Sequence, residues 1–128
     1  MSFSDKHDQA YRQGIKPGVE DAGYTPICLK DVLTNEDINF RILAEIRRAE
    51  LTVADFSGHK GGVYFEAGFA LALGREVFWT CDANDRNDLH FDTDHFQYIF
   101  WRDHDDLRRR LCEKIVAIKG QGPFRSPV

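Results

Sequence analysis

The chain predicts an α/β fold, a parallel sheet with helices on both faces, and three observations carry that expectation. Helical and strand-like patterns alternate from end to end. The run EVFWTC, Glu76 to Cys81, is short and largely apolar, as a strand covered on both faces should be. The stretch LTVADFSGHKGGVYFEAGFALALG, Leu51 to Gly74, passes from a β-type run through a polar turn into a segment rich in Ala, Leu and Phe. With 128 residues, 42% hydrophobic and 30% charged, residues 1–119 read as a single domain able to bury a core, and 120–128 as a loose Gly/Pro tail.

In chain order, MSFSD reads as the loop at the end of a strand, and Asp5 to Ala22 as a helix capped by Ser4 or Asp5. Tyr11, Ile15, Val19 and Ala22 fall on one face of that helix. Pro17, flanked by Gly14 and Gly18, should kink or divide it, and Gly23 should end it. Thr25 to Leu29 has the composition of a short strand. Asn35 or Glu36 to Ala49 predicts an amphipathic helix with Ile38, Ile42 and Ile46 inward and Arg41, Glu45, Arg47 and Arg48 outward. Leu51 to Ala54 is the next strand and Val63 to Leu73 the next helix, followed by the Glu76–Cys81 strand. Asp82 to Asp94 shows no periodicity and reads as a surface loop. Gln97 to Trp101 is a last strand, and Asp103 caps a final helix to about Lys119 with Leu107, Leu111, Ile115 and Ile118 inward. A chain that opens on a strand-to-helix loop lacks the strand leading into it. The expectation is a start assigned too late or a truncated form, with the sheet short of one central strand.

Composition narrows the function. A net charge of −4 argues against a nucleic-acid polymer as partner, because phosphate-backbone binding needs a basic face. Cys28, Cys81 and Cys112 are odd in number and carry no metal-ligand spacing, which favours a reducing, cytoplasmic setting over a disulfide framework. No run approaches a membrane span, and the N-terminus has no signal-peptide apolar core.

In parallel α/β sheets, ligands bind beyond the carboxyl ends of the strands. Those ends are the MSFSD loop, the polar segment after Leu29, Asp55 to Gly62, and Asp82 to Asp94. Glu66 is the one charged residue in an apolar helix. The helix dipole favours its ionised form and its apolar neighbours the neutral one. An ionised, poorly hydrated carboxylate there suits attack on a sugar anomeric carbon, while the plainer role is a first-turn acid of a helix cap. Asp55 follows its strand directly and could orient a sugar hydroxyl or share a proton with a leaving base. Taken alone, it fits an Asx-turn or a cap better. Gly58, Gly61 and Gly62 permit backbone approach to a phosphate or sugar, but no GxxxxGK[ST] or GxGxxG motif is present. His90, Asp92, Asp94 and His95 match no established metal spacing, so no metal and no cofactor is expected. Arg108, Arg109 and Arg110 read as a solvated face.

ADFSG followed by VYFEAGFALALGREV resembles the pattern ADLTG, then NVYYELGYAHALGKPV, of nucleoside 2-deoxyribosyltransferase-like proteins and the related nucleotide-binding TIR-like domains of bacteria. MSFSDKHDQAYRQGIKPGVEDAGY resembles the opening of that family, and FDTDHFQYIFW a later segment of the form PFDLRHYRVIFY. The resemblance implies a flavodoxin-like, doubly wound sheet whose first strand precedes MSFS, and a cleft for a nucleoside, nucleotide or NAD. Glu66 falls on the catalytic glutamate and Asp55 on the acidic residue after the strand. Ser2, Phe3 and Ser4 fall on the first sugar- or phosphate-side loop. With them, Ser57, Gly58, Gly62 and Asp92 make the candidate substrate-binding set. Ala67 replaces a usual Leu, and His59-Lys60-Gly61-Gly62 a usual Asn-Pro-Asn type loop.

The resulting expectation is an N-glycosidic bond hydrolase or transferase acting through a carboxylate nucleophile. Relatives often complete the site with a second subunit, which points to a homo-oligomer. The alternatives are a non-catalytic TIR-like nucleotide-sensing or self-association module, and a scaffold without activity.

Overall fold

The computed structural model describes residues 9–28, 38–57, 67, 69–88 and 98–123. It is an α/β structure, with helices and a three-stranded parallel sheet in the order β1-β2-β3. The strands are β1 (Leu51–Asp55), β2 (Glu76–Asp82) and β3 (Tyr98–Trp101). The helices are α1 (Lys16–Asp21), α2 (Ile38–Arg48) and α3 (His104–Lys119). The chain divides into two compact units, one of residues up to Pro26 together with those from Ile99 onward, the other Ile27–Tyr98.

In the first unit, the expected division at Pro17 takes a definite form. Tyr11–Ile15 is a π-helical turn, and α1 begins at Lys16 with Pro17 in its first turn. The Lys16 N–H reaches back five residues to Tyr11 O, a register that opens the helix just before a residue without an N–H. Val19 is buried as expected, and so are the small residues Ala10, Gly14, Gly18 and Ala22, whereas Tyr11 and Ile15, expected inward, are half-buried. This stripe of small residues brings α3 close. A Cβ at Gly14 would lie 2.5 Å from Leu107 Cδ2, and one at Gly18 would lie 2.9 Å from Arg108 O. Leu107, Leu111 and Ile115 of α3 are fully buried.

Asp103 caps α3 as expected, its carboxylate accepting from Asp106 N at 2.7 Å. Asp106 in turn accepts from Arg102 N at 3.0 Å, so the two carboxylates satisfy donors on either side of the helix start. Ile118 departs from the expectation and is 50% exposed. It sits in the last turn, where Gly120, at φ +84°, ends the helix and the chain turns back to Ala22 through Gly122 N. Tyr24 Oη donates to Gly120 O at 3.0 Å, and Arg108 holds Asp21 through Nε and Nη2.

In the second unit, β1 and β2 pair in parallel register from Leu51 with Glu76 to Asp55 with Thr80. Phe78 to Asp82 are consecutively buried, as expected of a strand covered on both faces. Between these strands, Ala67 and residues 69–72 are helical. Gly74 at φ +75° closes that helix, with Gly74 N donating to Leu71 O and Arg75 N to Ala70 O, a glycine-dependent end. On α2, Ile46 is buried and Arg47 and Arg48 are exposed, as the periodicity requires.

Two expectations need correction. Tyr24–Cys28 has no regular secondary structure, and Ile27 is 62% exposed. Pro26 explains this, since it cannot donate to a strand ladder. The segment after Cys81 is more ordered than a loop, for Asp82 belongs to β2 and Ala83–Asp88 is a 3-10 helix. The pattern of β2 simply runs one residue further than its apolar composition.

No helix among the described residues is long and apolar enough to cross a membrane.

Candidate functional site

The alternation of β1 and β2 separates two chemistries at their carboxyl ends. In a parallel pair, residues in register share a face, and neighbours along a strand point to opposite faces. Asp55 therefore shares a face with Thr80 and Asp82. Phe56, Trp79 and Cys81 take the opposite face.

The second face is aromatic. Phe56 is fully buried and stacks on Trp79, with ring centroids 5.3 Å apart and planes 19° from parallel. Tyr98 meets both rings edge-on, at 5.5 Å from Phe56 and 5.9 Å from Trp79. Such pairs add about 0.5–1.5 kcal/mol each beyond the burial of their area. Phe56 N donates to Thr80 O at 2.8 Å, so the ladder continues one residue past β1. The anchored Phe56 thus aims Asp55 and Ser57, on either side of it, at the other face.

That face is polar and mostly sealed from solvent. Ser57 Oγ donates to Asp55 Oδ1 at 2.9 Å, and Ser57 N donates to the same oxygen at 3.2 Å. Asp82 N donates to Ser57 Oγ at 2.7 Å, which joins the ends of the two strands. Asp82 Oδ1 then accepts from Asn84 N at 2.9 Å, starting the 3-10 helix. Ser57, Thr80 and Asp82 are the buried polar residues among those described, at 6%, 0% and 7% exposure. Thr80 Oγ1 has no hydrogen-bond partner among the described residues. A buried hydroxyl in that condition costs about 1–3 kcal/mol.

Of the expected site residues, Asp55 and Ser57 are brought together at the carboxyl end of a strand, where an α/β site would want them. The Asx-turn read as the plainer role of Asp55 is also present, through the Ser57 N–H two residues on. Glu66, Ser2, Phe3, Ser4, Gly58, Gly62 and Asp92 lie outside the described residues. Thr80 and Asp82 were not singled out from the sequence. The signal was an Asp directly after the apolar run of β2, which becomes informative once β2 is known to lie beside β1. Among the described residues, no three His, Cys, Asp or Glu side chains are grouped to hold a metal ion.

No family model, curated protein or solved structure matches this chain.

Proposed function

We propose that the chain cleaves or transfers the N-glycosidic bond of a nucleoside, nucleotide or NAD, on a flavodoxin-like sheet with its cleft beyond the carboxyl ends of β1 and β2. The supporting observation is Asp55, tied through Ser57 to the end of β2 on the polar face of two adjacent parallel strands. In such sheets this is where a ligand binds, and a carboxylate held there can accept hydrogen bonds from sugar hydroxyls. Glu66, placed by sequence resemblance, acts as the nucleophile. Its carboxylate bonds to the anomeric carbon as the carbon–nitrogen bond breaks, the bonding pair leaves with the base, and water or another acceptor then releases the sugar. Asp55 binds the sugar or delivers a proton to the departing base. The three cysteines form no disulfide, in keeping with a reducing, cytoplasmic setting. A second copy of the chain completes the cleft, as the resemblance suggests.

The test is a panel of nucleosides, nucleotides and NAD, read by chromatography for free base. The expected outcome is release from one class, abolished by Glu66→Gln in a variant with unchanged circular dichroism. Binding without turnover, unaffected by that substitution, would replace this reading with a nucleotide-sensing or self-associating module.

A further inference from the structure

We infer that Ser57 is a positioning residue, which fixes the Asp55 carboxylate for the chemistry proposed above and therefore rests on that reading for its catalytic consequence. A serine hydroxyl has a single proton and two lone pairs. The proton lies toward Asp55 Oδ1 at 2.9 Å, and one lone pair receives the Asp82 N–H at 2.7 Å. The proton is therefore committed to Asp55, and the hydroxyl is held by the backbone of the neighbouring strand.

The consequence is geometric. Both donors of Ser57, Oγ and N, converge on the same Asp55 oxygen. Two donors from one residue on one oxygen restrict rotation about the side-chain bonds of Asp55. The Asp82 N–H restricts Ser57 in turn, and Asp82 N belongs to the end of β2 rather than to the turn containing Ser57. At 6% exposure, Ser57 is shielded from water that would otherwise compete for these bonds. A carboxylate at a loop tip samples several rotamers. Here it is pinned through a buried hydroxyl to the adjacent strand, the support a reacting or substrate-orienting group requires.

The test uses the whole chain and three variants, Ser57→Ala, Ser57→Thr and Ser57→Cys. Three-bond couplings to Asp55 Cγ report its side-chain rotamer without substrate, and hydrogen exchange of the Asp82 amide reports the bond to Ser57. The expected result is one Asp55 rotamer and a protected Asp82 amide in the parent and in Ser57→Thr. Ser57→Ala and Ser57→Cys should average the Asp55 rotamer and accelerate Asp82 exchange at least tenfold. If Ser57→Ala fails to fold, Ser57→Cys against Ser57→Thr decides, since the thiol keeps the bulk and is a weak donor. On the substrate found by the panel, kcat should fall about 10- to 100-fold in Ser57→Ala with KM little changed, and recover in Ser57→Thr. An unchanged Asp55 rotamer and unchanged Asp82 exchange in Ser57→Ala and Ser57→Cys would overturn the inference. Absence of turnover in the parent would instead defeat the proposed activity, while the couplings and exchange rates would still decide the role of Ser57.

Discussion

The two compact units bury different things. Between residues 9–26 and 99–123, the buried side chains are hydrophobic or absent, with Gly14 and Gly18 against α3 and Leu107, Leu111 and Ile115 fully enclosed, and the indole Nε1 of Trp101 is buried without a hydrogen-bond partner among the described residues. The charged groups of that unit lie at half-exposed sites, such as the pair Arg108–Asp21 at 47% and 29% exposure. Exposed pairs of that kind contribute about 0–1 kcal/mol. In Ile27–Tyr98, by contrast, Ser57, Thr80 and Asp82 are buried together beside Asp55. A core built for stability alone has no use for such groups, since each must be satisfied or costs free energy. The contrast separates a unit organised for close packing from one that carries a desolvated carboxylate and hydroxyls at the ends of its strands.

The largest expected effect tests the packing half of this contrast. Gly18→Ala should destabilise by about 1–3 kcal/mol, because the added Cβ meets the Arg108 backbone. On an exposed helix the same change would stabilise by about 1 kcal/mol, so the sign itself is the test. Urea unfolding with an unchanged m-value measures it, and a gain in midpoint would remove the close approach from the account. Thr80→Val probes the polar half and should act in the opposite direction, raising stability by about 1 kcal/mol by removing a buried hydroxyl without a partner among the described residues. A simultaneous loss of nucleoside or nucleotide binding, measured by calorimetry, would show that Thr80 serves the site at a cost to the fold. A loss of stability would show that its hydroxyl is satisfied.

The smallest effect concerns the start of α3. Burial works to raise the pKa of Asp106, but the Arg102 N–H and the guanidinium groups of Arg110 and Arg109 outweigh it and hold the carboxyl below its ordinary value. The ionised form is therefore favoured in the folded state. Its contribution to stability is present above the ordinary carboxylate range, near pH 4, and is lost as pH falls through the lowered folded value. Asp106→Asn should flatten the acid limb of melting temperature against pH, with parent and variant converging at low pH. Curves that remain parallel throughout would contradict this.

Much of the architecture was legible in the residues. The strand at Leu51, the doubly covered strand from Glu76, and the final helix with its Asp103 cap follow from periodicity and capping chemistry, which are local properties. The departures have local causes that composition conceals. Pro26 denies Thr25–Cys28 a ladder donor, and the closest approach to α3 is made by Gly14 and Gly18 while Tyr11 and Ile15 are half-buried. Periodicity follows the large apolar side chains and overlooks a close approach made by glycines, which have none.

The site divides along the same line. The sequence by itself determined that Asp55 follows a strand and that Ser57 lies two residues on, enough to expect a polar turn, and its resemblance to a family singled out Glu66. Tertiary structure decided that the end of β2 lies beside that turn, that Asp82 N reaches Ser57 Oγ, and that Asp55 and Thr80 share a face. Strand adjacency and register are contacts between residues far apart in the chain, and no local pattern encodes which strand end will meet which.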